Sequence, residues 1–583
     1  MSLVSITRKI PGLRTARIEP FTALMLAVVL GLSLLILCMP LIVFGLSFRE
    51  GRPIDPETAY SFVHYIQVFS DTYTYRVLLN TFGYSITSLL VAFGFGLPAA
   101  WLAERTDLPL KPLLYTLMTV GLLMPGFATA MGWLFLFHPR IGLGNVLLNN
   151  LSDGAIGPIN IASIGGMGWV EGLSLAPVAF IMTAAVFRAM DPSLEESAEM
   201  SGAKATTIAR RVTLPLAWPG ILASGIYIFT IAFAAFDVPA IIGWSNKIFT
   251  FSTYVVTELA PDDDLPHYGV AAALATFVIV LAGVLSWWYG RLQSQAHRYQ
   301  VVTGKGYRPR LLALKQRAGL AWGFLALFFF LSKLLPLLLL IWASLLPFFQ
   351  LPSAEAFASI SLANYNAIPW DLAFKGFKNT AALVVMTPTI TLFCAMAFSW
   401  VVLRSRIPGK GFFDFIAFLP HAIPNIIFGV AILLLALFVL RDTIPLFGTI
   451  WILLIVFVIA RLSYATRMTN STMIQIHKDL EESGTMCGAT TGTVMFRVVT
   501  PLLAPTLIYA WLWIALITFR ELTLAVILTT GDNITLPVVV WSLWYSSGLG
   551  AAAALTLLLM LMMLPIVGLY WWVARKRAFG ASN

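Results

Sequence analysis

Charge is scarce in this chain. Only 11% of its 583 residues are Asp, Glu, Lys or Arg, where an ordinary soluble domain carries about 25%. Cysteine is scarcer still, and the three present (Cys38, Cys394 and Cys487) are too scattered for a disulfide framework or a thiolate metal site. The six histidines form neither an HExxH pair nor a close cluster. No G-x-x-x-x-G-K-[ST] phosphate loop occurs: Gly304-Lys305-Gly306 and Gly409-Lys410-Gly411 lack the upstream glycine and the following hydroxyl residue. A thiolate or HExxH metalloenzyme and a P-loop ATPase are thereby excluded. No other catalytic constellation stands out, so the chain is expected to be no enzyme and to bind no cofactor of its own.

Apolar residues are what the chain has in abundance: 59% of it is hydrophobic and its mean hydropathy is +0.85. A soluble fold cannot hide that much apolar surface, so the expected solvent is the lipid bilayer. Runs long enough to cross it as helices begin near Phe21, Leu78, Leu113, Leu173, Trp218 and Val270, and again near Ala321, Ala381, Phe412, Gly448, Leu503 and Ala551. The fold class is therefore all-α integral membrane, with about twelve transmembrane helices in two parallel six-helix repeats. The first run, Phe21 to Phe48, is too long for a cleaved signal core and reads as a retained span.

The net charge of +10 is a matter of topology and not a footprint for nucleic acid. On this span map most Lys and Arg fall on one side, including Arg8, Lys9, Arg14, Arg17 and the Arg575-Lys576-Arg577 tail. The opposite loops hold few, and acidic residues such as Asp262, Asp263 and Asp264 lie there. The positive-inside rule then makes the protein multi-pass with both termini cytoplasmic. The connector 291–317, rich in Lys and Arg, separates a first half, 1–290, from a second, 318–583. The long outer loop from His138 to Gly168 has room for a short helix or a lid.

An internal repeat decides the architecture. Residues 194–219 read LEESAEMSGAKATTIARRVTLPLAWP and residues 480–505 read LEESGTMCGATTGTVMFRVVTPLLAP, an ungapped match at an offset of 286. Upstream, Trp101, Arg105, Pro109 and Lys111 match Trp400, Arg404, Pro408 and Lys410 at an offset of 299, as Asn80-Thr81 matches Asn379-Thr380. The drop from 299 to 286 places 13 additional residues in the first half, in the outer loop. Six spans per half restore the direction of the chain, so the repeat is parallel and implies a pseudo-two-fold axis along the membrane normal.

The repeated segment has a mechanical reading. Ser193-x-x-Glu196 and Asp479-x-x-Glu482 fit an N-cap with a reaching carboxylate, opening a short helix near 193–214 and near 479–500. Gly202 and Gly488 permit a sharp turn, and Pro215 and Pro501 mark re-entry to the membrane at a helix start. Glu195, Glu196, Glu481 and Glu482 are then expected to be exposed on a docking knob for a soluble partner. Here the chain resembles the permease subunits of binding-protein-dependent ABC importers. The signature appears as Glu196-Ser197-Ala198, Gly202, Val212 and Leu214-Pro215, and again as Glu482-Ser483-Gly484, Gly488, Val498 and Thr500-Pro501. Both copies depart from the family pattern at the first Ala; the second also lacks the other Ala and the Leu. The resemblance implies a coupling helix in each half that seats in one subunit of a cytoplasmic ABC ATPase dimer, where ATP is used, and a periplasmic substrate-binding protein on the other side of a bacterial inner membrane. Fused two-half permeases look most like the ferric-iron type, and Gly132-Trp133-Leu134-Phe135 and Phe519-Arg520-Glu521-Leu522 are similar to that branch. Related permeases carry phosphonates, polyamines or thiamine. An ion-coupled secondary transporter is the reading that lacks any use for the paired Glu/Gly/Pro motif.

Charges inside the membrane need a reason. Arg520 and Glu521 fall within the eleventh span and, being adjacent on a helix, are expected to serve different partners. Asp237 occupies the comparable stretch of the fifth span. These three are read as lining the path or its gate, with an interhelical ion pair as the alternative. Lys333 and Arg461 are explained by snorkelling, and His421, between Pro420 and Pro424, by a helix break.

Overall fold

The computed structural model describes residues 19–50, 58–121, 124–139, 142–155, 157–190, 193–261, 265–296, 311–405, 407–546 and 548–580. The first basic cluster (Arg8, Lys9, Arg14 and Arg17), Asp262 to Asp264 and most of the connector between the halves lie outside the described residues. Among those described, ten helices are long and apolar enough to cross a membrane, and no strand longer than an isolated bridge forms.

Nine helices recur in the same order in each half. The first set is α1 (Pro20–Ser47), α2 (Thr72–Arg105), α3 (Lys111–Gly121), α4 (Gly126–Phe137), α5 (Ile164–Ala189), α6 (Ser193–Met200), α7 (Ala209–Ala234), α8 (Phe251–Leu259) and α9 (Tyr268–Leu292). The second is α10 (Ala318–Leu345), α11 (Trp370–Leu403), α12 (Lys410–His421), α13 (Asn425–Val439), α14 (Ile450–Met473), α15 (Lys478–Met486), α16 (Thr491–Phe519), α17 (Leu536–Tyr545) and α18 (Leu549–Tyr570). Helix α4 begins 299 residues before α13 and α5 begins 286 before α14, so the inserted residues do fall in the outer loop. That loop carries a short helix, Leu143–Leu151.

The third span of each half is broken, a correction to the reading of twelve continuous spans. Helices α12 and α13 meet at a bend of 103°. In the first half α3 ends at Gly121 and α4 starts after Pro125. Both breaks fall at matched X-Pro steps, Met124-Pro125 and Ile423-Pro424, and both prolines serve as N-caps. Proline removes an N–H and drives the residue before it away from helical geometry. His421, the last residue of α12, is thus a helix-break residue, stacked on Tyr227 of α7 with ring centroids 5.3 Å apart.

Packing follows membrane rules. Small residues let backbones approach: a Cβ on Gly96 of α2 would sit 2.6 Å from the Ala176 carbonyl of α5. The first span of each half lies beside its own last span and also crosses to the other half. Helix α1 packs on α9 and on α11, α12 and α13; α10 packs on α18 and on α4. One buried apolar cluster therefore runs through both halves.

The Asn-Thr pair matched between the halves has a structural task. Thr81 Oγ1 accepts from the Phe251 N–H at 2.8 Å and Thr380 Oγ1 from the Leu536 N–H at 2.9 Å. These bonds satisfy the first orphan donors of α8 and α17, helices too short to span a bilayer. Asn80 and Asn379 donate to the carbonyls of Phe249 and Ile534 just before them.

Candidate functional site

At one end of the bundle, α6 and α15 project beyond the spans, and neither has a buried residue. Each ends in the same device. Gly202 and Gly488 both have φ +81°. Around them Gly202 N–H donates to Glu199 O (2.8 Å) and Ala203 N–H to Ala198 O (3.1 Å), with Gly488 to Thr485 (2.9 Å) and Ala489 to Gly484 (3.2 Å) as the counterparts. This is the Schellman termination. A Cβ at either glycine would meet nothing within 4 Å, so glycine is required there by backbone conformation and not by space.

The starts of these helices depart from expectation. Ser193 is already helical, and Asp479 is the second residue of α15, whose N-cap is His477 without a side-chain cap bond. Pro215 and Pro501 stand, as expected, in the first turn of the α-helical stretches Leu214–Ala234 and Thr500–Phe519. Each follows a five-residue π-helical turn, Ala209–Thr213 or Met495–Val499, inside helical chain that began earlier. A wide turn accommodates a residue that can neither donate its N–H nor let its ring meet the preceding turn.

The four glutamates divide into two roles. Glu195 and Glu481 turn inward, with side chains 17% and 14% exposed, which corrects their assignment to an exposed knob. Arg105 Nη1 lies 3.5 Å from Glu195 Oε2, and Arg404 Nε lies 2.6 Å from Glu481 Oε1. The same arginines donate to carbonyls that end the preceding span: Arg105 to Phe187 (2.9 Å), and Arg404 to Met473 (3.0 Å) and Ile476 (2.9 Å). One guanidinium thus satisfies helix-end acceptors and fixes the next helix by a charge-assisted bond. Glu196 is half-buried and Glu482 exposed. Between them the helices present apolar tips at equivalent positions: Leu194 and Leu480 are 50% and 49% exposed, Met200 and Met486 87% and 89%.

A second polar cluster lies in the interior. Arg520 is the residue that caps α16, so it and Glu521 lie just past the helix end and not within it. They do serve different partners. Arg520 Nη1 donates to the Met124 carbonyl at 3.0 Å, and Glu521 pairs with Arg461 of α14 while accepting from the Leu524 N–H at 3.2 Å. Snorkelling is therefore not what Arg461 does. Lys333 does not snorkel either: its Cε lies 3.4 Å from a Cβ built on Gly121, and it interacts electrostatically with Glu171 and Arg520. Asp237 accepts from Thr523 Oγ1 at 3.3 Å. Glu171, buried on α5 near Tyr84, Asp237 and Lys333, was not singled out from the sequence; its place in the middle of an apolar run is the signal that marks it. Among the described residues no three His, Cys, Asp or Glu side chains converge as a metal site would need.

A duplicated all-helical membrane protein, with projecting helices at one end and charges gathered where its halves meet, belongs to the class of transport permeases. Within that class the chain belongs to the family described as binding-protein-dependent transport system inner membrane component, which matches residues 92–298 and again 389–578. It is a fused two-half permease of a type I ABC importer, a multi-pass inner-membrane transport subunit of a family that works with a binding protein. It is 22% identical over 80% of its length to the Fe(3+)-transport system permease protein FbpB 2 of Haemophilus influenzae, 83% of which is covered. It is also 22% identical over 94% of its length to the ferric transport system permease protein FbpB of Actinobacillus pleuropneumoniae, 77% of which is covered. Among solved structures, a bacterial alginate ABC transporter in complex with an alginate pentasaccharide-bound periplasmic protein is 20% identical, with a TM-score of 0.33, covering 41% of this chain and 85% of that one.

Proposed function

We propose that this single chain forms the whole translocation path of an importer whose cargo is ferric iron, delivered by a periplasmic binding protein and driven by a cytoplasmic ABC ATPase dimer. The observation that carries the ATPase docking is the doubling of α6 and α15, two helices with the same termination, the same arginine anchor and the same exposed Leu and Met. Exposed apolar tips on a helix outside the bilayer suit a groove in a soluble partner. On this reading α6 and α15 are the coupling helices, one for each ATPase subunit, with Glu196, Glu482, Gly202, Gly488, Pro215 and Pro501 shaping the contact. The halves are residues 1–290 and 318–583, joined by a cytoplasmic connector at 291–317, and both termini face the cytoplasm. Hydrolysis of ATP belongs to the partner. Support for iron comes from the relatives named for ferric transport; phosphonate, polyamine and thiamine are the cargoes to set against it.

The test has two parts. The tagged chain is extracted in mild detergent and its co-purifying proteins identified, beside a variant with bulky residues at Gly202 and Gly488. An ATPase that accompanies the wild type and is lost from the variant supports the docking; no ATPase under conditions that preserve other complexes overturns it. Proteoliposomes holding permease, ATPase and binding protein are then given radioactive ferric iron or one of the rival solutes. Uptake of iron that requires ATP and ignores an ionophore is expected. Preference for another solute replaces the cargo, and uptake collapsed by the ionophore alone makes the protein a secondary transporter.

A further inference from the structure

The bond between Thr523 and Asp237 joins positions 286 apart, which is the offset of the repeat. They are the same position in the two halves. Equivalent residues touch each other only where the two-fold relation brings them together, that is, at its axis. A path formed between two parallel repeats runs along that axis, so this contact stands across it.

Around the contact the symmetry fails. Where the second half has Arg520 and Glu521, the first has Ala234 and Ala235. The second half can therefore reach across with a cation that the first half lacks at the matching position. Arg520 does so, donating to the Met124 carbonyl at the break between α3 and α4. Asp237 meets the same break from the other side, its Oδ2 lying 3.1 Å from where a Cβ on Gly126 would stand. Gly126 is the first residue of α4, and a helix start offers unpaired N–H groups and a positive dipole end to a carboxylate. The broken span is thus held at its C=O side by Arg520 of the second half, while Asp237 of its own half lies beside the helix start. Tied to Arg461 and to the Leu524 N–H, Glu521 fixes the turn that aims the guanidinium.

We infer that the path is closed where Asp237 meets Thr523, and that Arg520 is a one-sided latch that holds the first half's broken third span in the closed position. Opening requires the guanidinium to leave the Met124 carbonyl, after which the α3–α4 break swings away from the axis. Glu521 and Arg461 are positioning residues for the latch. This rests on the permease reading above.

The experiment places cysteines at Asp237 and Thr523 in a chain whose Cys38, Cys394 and Cys487 are replaced, in the complex with its ATPase in membranes. A short, reducible thiol cross-linker is expected to join them, to lower ATP-driven uptake about tenfold or more relative to each single-cysteine control, and to be reversed by reduction. Failure to cross-link, or full uptake after cross-linking, overturns the inference. Should the double variant not assemble, Arg520→Met and Arg520→Lys decide it. The Met form is expected to leak a small solute across proteoliposomes without ATP about tenfold faster than wild type, with the Lys form closer to wild type. A Met form as tight and as active as wild type overturns the latch. Formation of the cross-link and the leak are read without any cargo, so a wrong cargo assignment leaves those two results standing and affects only the uptake reading.

Discussion

Arg404 Nε lies 2.6 Å from Glu481 Oε1, and neither side chain is more than 14% exposed, although the pair sits where the bundle gives way to a projecting helix. Arg105 and Glu195 repeat the arrangement in the first half at 3.5 Å. Two halves that share about half their residues in this motif have kept the same joint between a spanning helix and a short one. The joint ties α6 and α15 to the ends of α2 and α11 and to the carbonyls at or just past the ends of α5 and α14.

Removing one member of a sheltered ion pair leaves the other charge uncompensated, at a cost of about 3–5 kcal/mol when fully buried. Glu481→Ala is expected to lower the melting temperature of the detergent-solubilised protein. Glu482→Ala, on the exposed face, is expected to stay within about 0.5 kcal/mol of wild type. A double-mutant cycle with Arg404→Ala measures the coupling directly, and additive losses would remove the pair from the account.

Gly202→Ala and Gly488→Ala each force a side chain into the left-handed region, at about 1–2 kcal/mol apiece. Because open space surrounds both positions, Asn, which tolerates that region, should recover part of the loss. Hydrogen exchange at α6 and α15 should rise in the Ala variants and less in the Asn variants; equal exchange in all three would show that conformation is not the constraint.

Met200→Glu and Met486→Glu alter side chains 87% and 89% exposed, so thermal stability of the isolated permease should not change. Under the docking proposal each should weaken co-purification of the ATPase about tenfold or more, as desolvated anchors do at an interface. Loss of folded permease, or undiminished capture of the ATPase, contradicts this.

Gly132→Ala tests the contact between α4 and the arm α10. The added methyl would lie 2.5 Å from the Pro336 Cα, a backbone atom that cannot turn aside. Overpacking of this kind costs about 1–3 kcal/mol and should appear as a lower melting temperature. Gly323→Ala on the same arm, with nothing within 4 Å, serves as the control and should be neutral.

Much of this protein was legible before folding was considered. Hydropathy located the spans because lipid leaves backbone polar groups no partners but each other, and the repeat located its own inserted loop. The LEES motif marked two short helices and their glycine turns. The break at Pro424 was signalled by His421 between Pro420 and Pro424, but the one at Pro125 was not legible: Pro98, Pro177 and Pro388 lie inside unbroken helices, and the chain stays apolar from Gly121 to Gly126. The buried glutamates were misjudged for a related cause. Arg105 and Glu195 were each recognisable as repeated residues, but at different offsets, and no one-dimensional pattern says that they touch. Arg461 and Lys333 looked like lone charges free to bend toward water until helices distant in sequence supplied Glu521 and Glu171.

Class, repeat and orientation of the halves thus came from composition and periodicity, which act residue by residue through solvation. Which charges are paired, which residues meet across the axis and where the path is shut came only from the packing of helices on one another. Those depend on distances of a few ångströms between segments hundreds of residues apart, and solvation preferences carry no information about such distances.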